Sequence, residues 1–187
     1  MFFKLKKEKM RINIPIEIFR EGNGTHLFIA CTLNNRRVGE LIIDTGASKT
    51  VFDTALLADE IQEISVNAFL SHFPENSHKI LFAEIDDDEL PEGISHDGIV
   101  SSGVNAPIEM KFGKLDRLRL GNQFEVTDYW VSLTNLNSVK DIYVHFGKFT
   151  ILGLLGGDIL AEYHATINYK RKLLMLDLPE NENKAIN

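Results

Sequence analysis

The sequence predicts a mainly β, single-domain protein, and three observations carry that prediction. Apolar residues recur at every second position over 12–18 and again over 108–112, the period of a strand with one buried face. Short runs rich in β-branched and aromatic residues are punctuated by Gly, Asn and Pro along most of the chain. Helical spacing is confined to one or two short stretches, and 187 residues suit one core. The organisation reads as a basic segment over 1–11, a domain over 12–178 with a variable insertion at about 54–98, and a polar tail over 179–187.

The first strand places Ile12, Ile14, Ile16 and Ile18 on one face, and Pro15, which cannot donate to a ladder, predicts a sheet edge there. Leu27-Phe28-Ile29-Ala30-Cys31 is the next β-rich run, reached through the turn formers Glu21-Gly22-Asn23-Gly24. Asn34-Asn35 turns the chain into a third run that ends at Ile43. Asp53 then reads as the cap of a helix through Thr54 to Ala58 and onward, with Leu57, Ile61 and Ile64 at helical spacing. The acidic stretch Asp86-Asp87-Asp88-Glu89 lacks the spacing of a calcium loop and reads as a solvated loop. Ile108 to Phe112, Leu118 to Leu120 and Phe124 to Val126, with a Gly121-Asn122 turn, predict a meander. Leu136 to Tyr143 fits either a helix or irregular structure. A short helix over 159–163, capped by Asp158, precedes a last hairpin of Ala165 to Tyr169, a Lys170-Arg171-Lys172 turn and Leu173 to Leu176.

Composition narrows the function classes. The hydrophobic fraction of 44% and charged fraction of 25% are ordinary globular values. A net charge of -7 leaves no basic excess to neutralise phosphates, so no nucleic-acid partner is expected. Lys4, Lys6, Lys7 and Lys9 read as a solvated terminus, and no apolar run reaches signal-peptide or membrane-span length. The expectation is a soluble cytoplasmic protein without a membrane partner. Cys31 is the single cysteine, excludes an internal disulfide and reads as a buried small hydrophobe. The six histidines show no ligand spacing, and the glycines around 153–157 lack the Lys of a phosphate loop, so neither metal nor cofactor is expected. Trp130 and the phenylalanines read as core.

The chemistry concentrates in Leu41-Ile42-Ile43-Asp44-Thr45-Gly46-Ala47-Ser48, where apolar β-formers deliver a carboxylate into a turn of Thr, Gly and small residues. A second element lies far downstream, Ile151-Leu152-Gly153-Leu154-Leu155-Gly156-Gly157-Asp158. On these two motifs the chain resembles the retropepsin-like aspartic peptidases over roughly residues 25–178, and looks closer to the bacterial single-lobe members than to the retroviral ones. That resemblance implies a pepsin-like single-lobe closed β-barrel with one or two short helices. It implies an aspartic endopeptidase with catalytic Asp44, Thr45 and Gly46, substrate contacts from Ala47, Ser48, Leu155 and Gly156, and a flap near 99–105 bearing Ser101, Ser102 and Gly103.

Hydrolysis by this route needs two carboxylates that share a proton, one taking a proton from water and the other polarising the carbonyl. The chain offers one Asp-Thr-Gly; Asp53-Thr54-Ala55 and Asp97-Gly98-Ile99 do not match. The expected second carboxylate is Asp44 of another copy, in a homodimer joined through the active-site loops around an extended peptide substrate. The resemblance implies that Thr45 bonds the opposite loop. Ala47 stands where pepsin-like enzymes place Ser, and losing that donor predicts a working range at mildly acidic to neutral pH. Retroviral members pair an Asp at the position of Ser48 with an Arg at that of Gly157; both charges are absent here. The rival expectation is a catalytically weak dimerisation or peptide-binding module on the same fold.

Overall fold

The computed structural model describes residues 10–65, 68, 69, 72, 99–102 and 107–179. The side chains of 99–102 and 107–109 are outside that description, as are the expected acidic loop at 86–89 and Gly103 to Asn105. The described strands are β1 (Met10–Glu21), β2 (Gly24–Leu33), β3 (Arg37–Ile43), β4 (Val51–Asp53), β5 (Gln62–Ile64), β6 (Ile99–Ser102), β7 (Pro107–Leu120), β8 (Phe124–Thr134), β9 (Ile151–Leu155), β10 (Thr166–Asn168) and β11 (Leu173–Leu178). Short helices accompany them, among them α1 (Asn137–Val144) and α2 (Gly157–Glu162), and Ala68, Phe69 and His72 are also helical. The protein is mainly β.

Strands β2, β3, β9, β4, β8 and β7 pair in that order, and β7 returns to β2 through Cys31↔Leu120 to Leu33↔Leu118. The ring has no free edge along that circuit, so its backbone donors pair within the molecule. Beside it, β10, β11 and the first half of β1 form an antiparallel flank, with Met10↔Leu178 and Asn168↔Leu173 marking its register. Alternation along the strands sends Leu27, Ile29, Cys31 and Leu33 into the ring, where they meet Leu41, Ile43, Phe52, Leu115, Leu133, Leu155 and Ile159. A second, smaller cluster of Phe28, Ile42, Tyr143 and Ile151 forms on the opposite face of β2, β3 and β9, beneath α1.

Several expectations are corrected. β1 is not an edge strand: residues 10–15 pair with β11 and residues 16–21 with β2, and Pro15 stands at the change-over, where its missing donor costs least. The helix expected after Asp53 is only a 3-10 turn, Thr54–Leu56. Asp53 does cap it, accepting from Ala55 N at 2.9 Å. Leu57 then returns to extended backbone, and Ala58 sits at φ 68, which ends helical progress. Residues 62–64 instead add a strand to β7, burying Ile61. Trp130 is half-buried rather than core, with the ring of His72 stacked on it at 4.1 Å.

Other readings agree with the structure. The meander is β7 and β8, longer than its sequence pattern, with the turn at Gly121 in the left-handed region at φ 53. The final hairpin is β10 and β11, and Leu136 to Tyr143 resolves as helix. Asn135 Oδ1 accepts from Asn137 N at its start. Cys31 is buried, and burial, helped by the charge of Glu40, pushes its thiol up to about 12, so it stays protonated and unreactive.

β9 runs between β3, to which it is parallel, and β4, to which it is antiparallel. The chain thus leaves β3 at Asp44 and re-enters the sheet at Val51 on the other side of β9. Gly153 permits that close approach, since a Cβ there would lie 2.3 Å from the Val51 carbonyl oxygen. Gly153→Ala is expected to cost about 1–3 kcal/mol, the range of core overpacking, in a denaturant unfolding curve. An unchanged midpoint would show that β4 and β9 separate freely.

Candidate active site

Residues 44–50 form the loop that bridges β3 and β4. The Asp44 amide donates to Leu155 O at 3.0 Å, so the parallel ladder between β3 and β9 continues to the carboxylate-bearing residue itself. The Asp44 side chain is half-buried, and its Oδ1 accepts from Gly46 N at 2.9 Å. Ala47 N reaches back to Asp44 O at 3.3 Å, while Ala47 O accepts from Gly157 N at 2.8 Å. A tight turn therefore presents one carboxylate, with a backbone donor aimed at it, on a rigid base. Thr45, Gly46 and Ser48 are exposed and Ala47 is half-buried.

The base is built by Asp158. One oxygen, Oδ1, accepts from Thr50 N at 2.8 Å, Thr50 Oγ1 at 2.7 Å and Ile159 N at 2.9 Å. The other, Oδ2, accepts from Tyr129 OH at 2.6 Å. Thr50 is 1% exposed, and its hydroxyl oxygen also accepts from Gly156 N at 3.1 Å. Burial, reinforced by the Asp158 charge, holds the Tyr129 phenol well above its ordinary range, so it remains a donor. One carboxylate thus joins the end of the loop, β8 and the start of α2. The cap expected of Asp158 is corrected: Gly156 holds the N-cap position, and Asp158 lies in the first turn with its side chain directed to the loop.

Leu155 and Gly156 come together with the loop but from beneath it. Leu155 is fully buried, and a Cβ on Gly156 would meet Lys49 C and O at 2.3 Å. Gly157 lies against Ser48, its would-be Cβ 3.1 Å from Ser48 O. Ser48 and Gly157 are therefore adjacent, and the Asp158 network braces the loop beside them. Ser101 and Ser102 lie on β6, which forms an antiparallel hairpin with the first residues of β7 through Ser102↔Pro107. Thr50 and Tyr129 are absent from the sequence reading. They lie 108 and 29 residues from Asp158, a separation at which no local pattern signals a contact.

No protein-family model and no curated protein matches this chain. Among solved structures it is similar to a retropepsin-like aspartic protease from Rickettsia conorii, at 18% identity over 91% of this chain and 92% of that one, with a TM-score of 0.43. It is similar to edgp at 9% identity over 91% of this chain, with a TM-score of 0.51. Conglutin gamma, a basic 7S globulin from lupine seeds, is 10% identical over 94% of this chain, with a TM-score of 0.46. The chain spans 46% of the edgp structure and 51% of conglutin gamma, about half of each. The likeness to edgp is one of fold. Among the described residues no cluster of His, Cys, Asp and Glu is arranged to hold a metal ion, and no helix is long and apolar enough to cross a membrane.

Asp158→Ala would leave the buried Thr50 amide and the Tyr129 hydroxyl without their acceptor. The expected loss is about 2–4 kcal/mol in urea unfolding, with Asp158→Asn, which keeps an acceptor oxygen, losing roughly half as much. Equal unfolding curves for all three proteins would remove the carboxylate from the loop's support.

Proposed function

We propose that this chain is one half of a homodimeric aspartic endopeptidase of retropepsin-like type. The observation that carries the reading is the Asp44 loop: a half-buried carboxylate within Asp-Thr-Gly, accepting the Gly46 amide and braced from beneath by Asp158. A rigid base and an open upper face are what a reacting carboxylate needs.

In this reading Asp44 of each copy faces the other across a two-fold axis, and the pair holds one shared proton. The ionised member takes a proton from water as the oxygen attacks the peptide carbonyl. The protonated member donates to the carbonyl oxygen, and the proton is then passed to the leaving amine. No covalent intermediate and no cofactor enter. Thr45, exposed on the loop, is the residue that would bond the opposite copy, and Gly46 leaves room for that approach. Ala47 and Ser48 would meet an extended substrate, with Ser101, Ser102 and Gly103 as its cover. Leu155 and Gly156 serve this reading as the floor of the loop.

The test is cleavage of a mixed peptide library at high protein concentration across pH 3.5–7.5, beside Asp44→Asn, with sedimentation to follow assembly. Cleavage at mildly acidic to neutral pH, at least about 10³-fold lower in Asp44→Asn, and a dimer are expected. A rate still rising at the acid end of that range counts against the reading of Ala47. A confirmed dimer that cleaves nothing favours a peptide-binding module.

A further inference from the structure

The smaller apolar cluster lies on the outer face of β3, which ends one residue before Asp44, and two polar groups that the peptidase reading leaves unused, His26 and Tyr143, meet at it. Residues 40 and 42 share one face of β3, and Ile42 packs there with Phe28 and Tyr143. Phe28 stands opposite Ile42 in the antiparallel register of β2 and β3. His26 lies two residues before Phe28 on β2, and Asp44 two residues after Ile42, both beyond the last pair of that register. On its other side His26 pairs with Phe19 of β1. α1 brings Tyr143 over this row: its hydroxyl lies 2.9 Å from His26 Nδ1, its ring edge-on to the imidazole at 5.3 Å and to Phe28 at 5.4 Å. Tyr143 is 8% exposed, and its phenol is raised above its ordinary range by burial and then by the charge of Asp44. The hydroxyl therefore keeps its hydrogen at working pH and lies within electrostatic reach of the carboxylate.

A phenol has one hydrogen to give, and the imidazole decides where it goes. A neutral imidazole with its proton on Nε2 leaves Nδ1 as an acceptor, which takes the Tyr143 hydrogen. A doubly protonated imidazole donates from Nδ1 to the phenol oxygen, and the phenol hydrogen becomes free to point elsewhere. We propose that His26 and Tyr143 form a pH-dependent hydrogen-bond donor beside Asp44, in which a proton taken from solvent by His26 releases the Tyr143 hydroxyl to donate to substrate held over the loop. His26 is the positioning residue and Tyr143 the donor. The peptidase reading supplies only the identity of the acceptor.

The charged groups around the pair come from three elements. β3 contributes Asp44 and Glu40. β1 contributes Glu17 and Glu21, two residues to either side of Phe19, and Glu17 is paired with Lys148, which also holds Glu40. From α1 Lys140 turns instead to Asp53.

Two readouts on the full chain test this. The first follows the ring nitrogens of His26 by 15N NMR from pH 4.5 to 8 in wild type and Tyr143→Phe, which keeps the ring and removes the hydroxyl. Neutral His26 is expected to carry its proton on Nε2 in wild type, with an Nδ1 signal that moves in Tyr143→Phe. A proton on Nδ1, or signals unchanged by the substitution, overturns the proposal. The second compares kcat/KM for a cleaved peptide. Wild type should exceed Tyr143→Phe about three- to tenfold below the His26 midpoint, the worth of one hydrogen bond, and converge with it above. A ratio constant with pH overturns the proposal, and His26→Gln, which bonds but does not titrate, should abolish the step if Tyr143→Phe folds poorly. A wild type that cleaves nothing while its nitrogen signals show the exchange counts against the peptidase reading alone.

Discussion

The Asp158 carboxylate holds the rest of the site in place. Taken from water, it would be costly alone; here both oxygens are occupied, one by Thr50 and Ile159 and the other by Tyr129. Those partners come from the end of the Asp44 loop, from β8 and from the start of α2. Because hydrogen bonds to a charged acceptor are short and directional, this one group sets the height and angle of the loop on its base.

The loop's other anchor is backbone geometry. β9 lies between β3 and β4, so the chain must cross over it between Asp44 and Val51. The crossing is close enough that Gly153 and Gly156 admit no Cβ without displacing the backbone of Val51 or Lys49. Ladder bonds run to Asp44 on one side, and Ala47 O is tied to Gly157 N on the other. A turn held in this way fixes the position of its carboxylate.

The two faces of β3 divide the labour. Leu41 and Ile43 look inward and join the ring's main core, while Ile42 looks outward into an aromatic cluster roofed by α1. Lys148 closes that cluster at its far end, lying 4.6 Å over the Phe28 ring while paired to Glu17 and Glu40. The period of two along one strand therefore links a purely structural interior to a face with titratable neighbours, His26 and Tyr143 among them.

Sequence alone determined the mainly β class, most strands and the terminal hairpin, and it marked Asp44 as the residue around which a site is proposed. Those are local properties: alternation with period two, turn residues with their own φ preferences, and a carboxylate after a run of β-formers. Where local pattern misled, tertiary structure had overruled it. Leu57, Ile61 and Ile64 have helical spacing, yet burial of Leu56 and Ile61 and pairing with β7 yielded more than a short helix would. Pro15 signalled an edge, but a strand that changes partners midway needs no donor there. Only the folded ring decided that Thr50 and Tyr129 meet Asp158 and that His26 meets Tyr143. Such contacts join residues up to 117 positions apart, and they form because strand order, not sequence proximity, makes them neighbours.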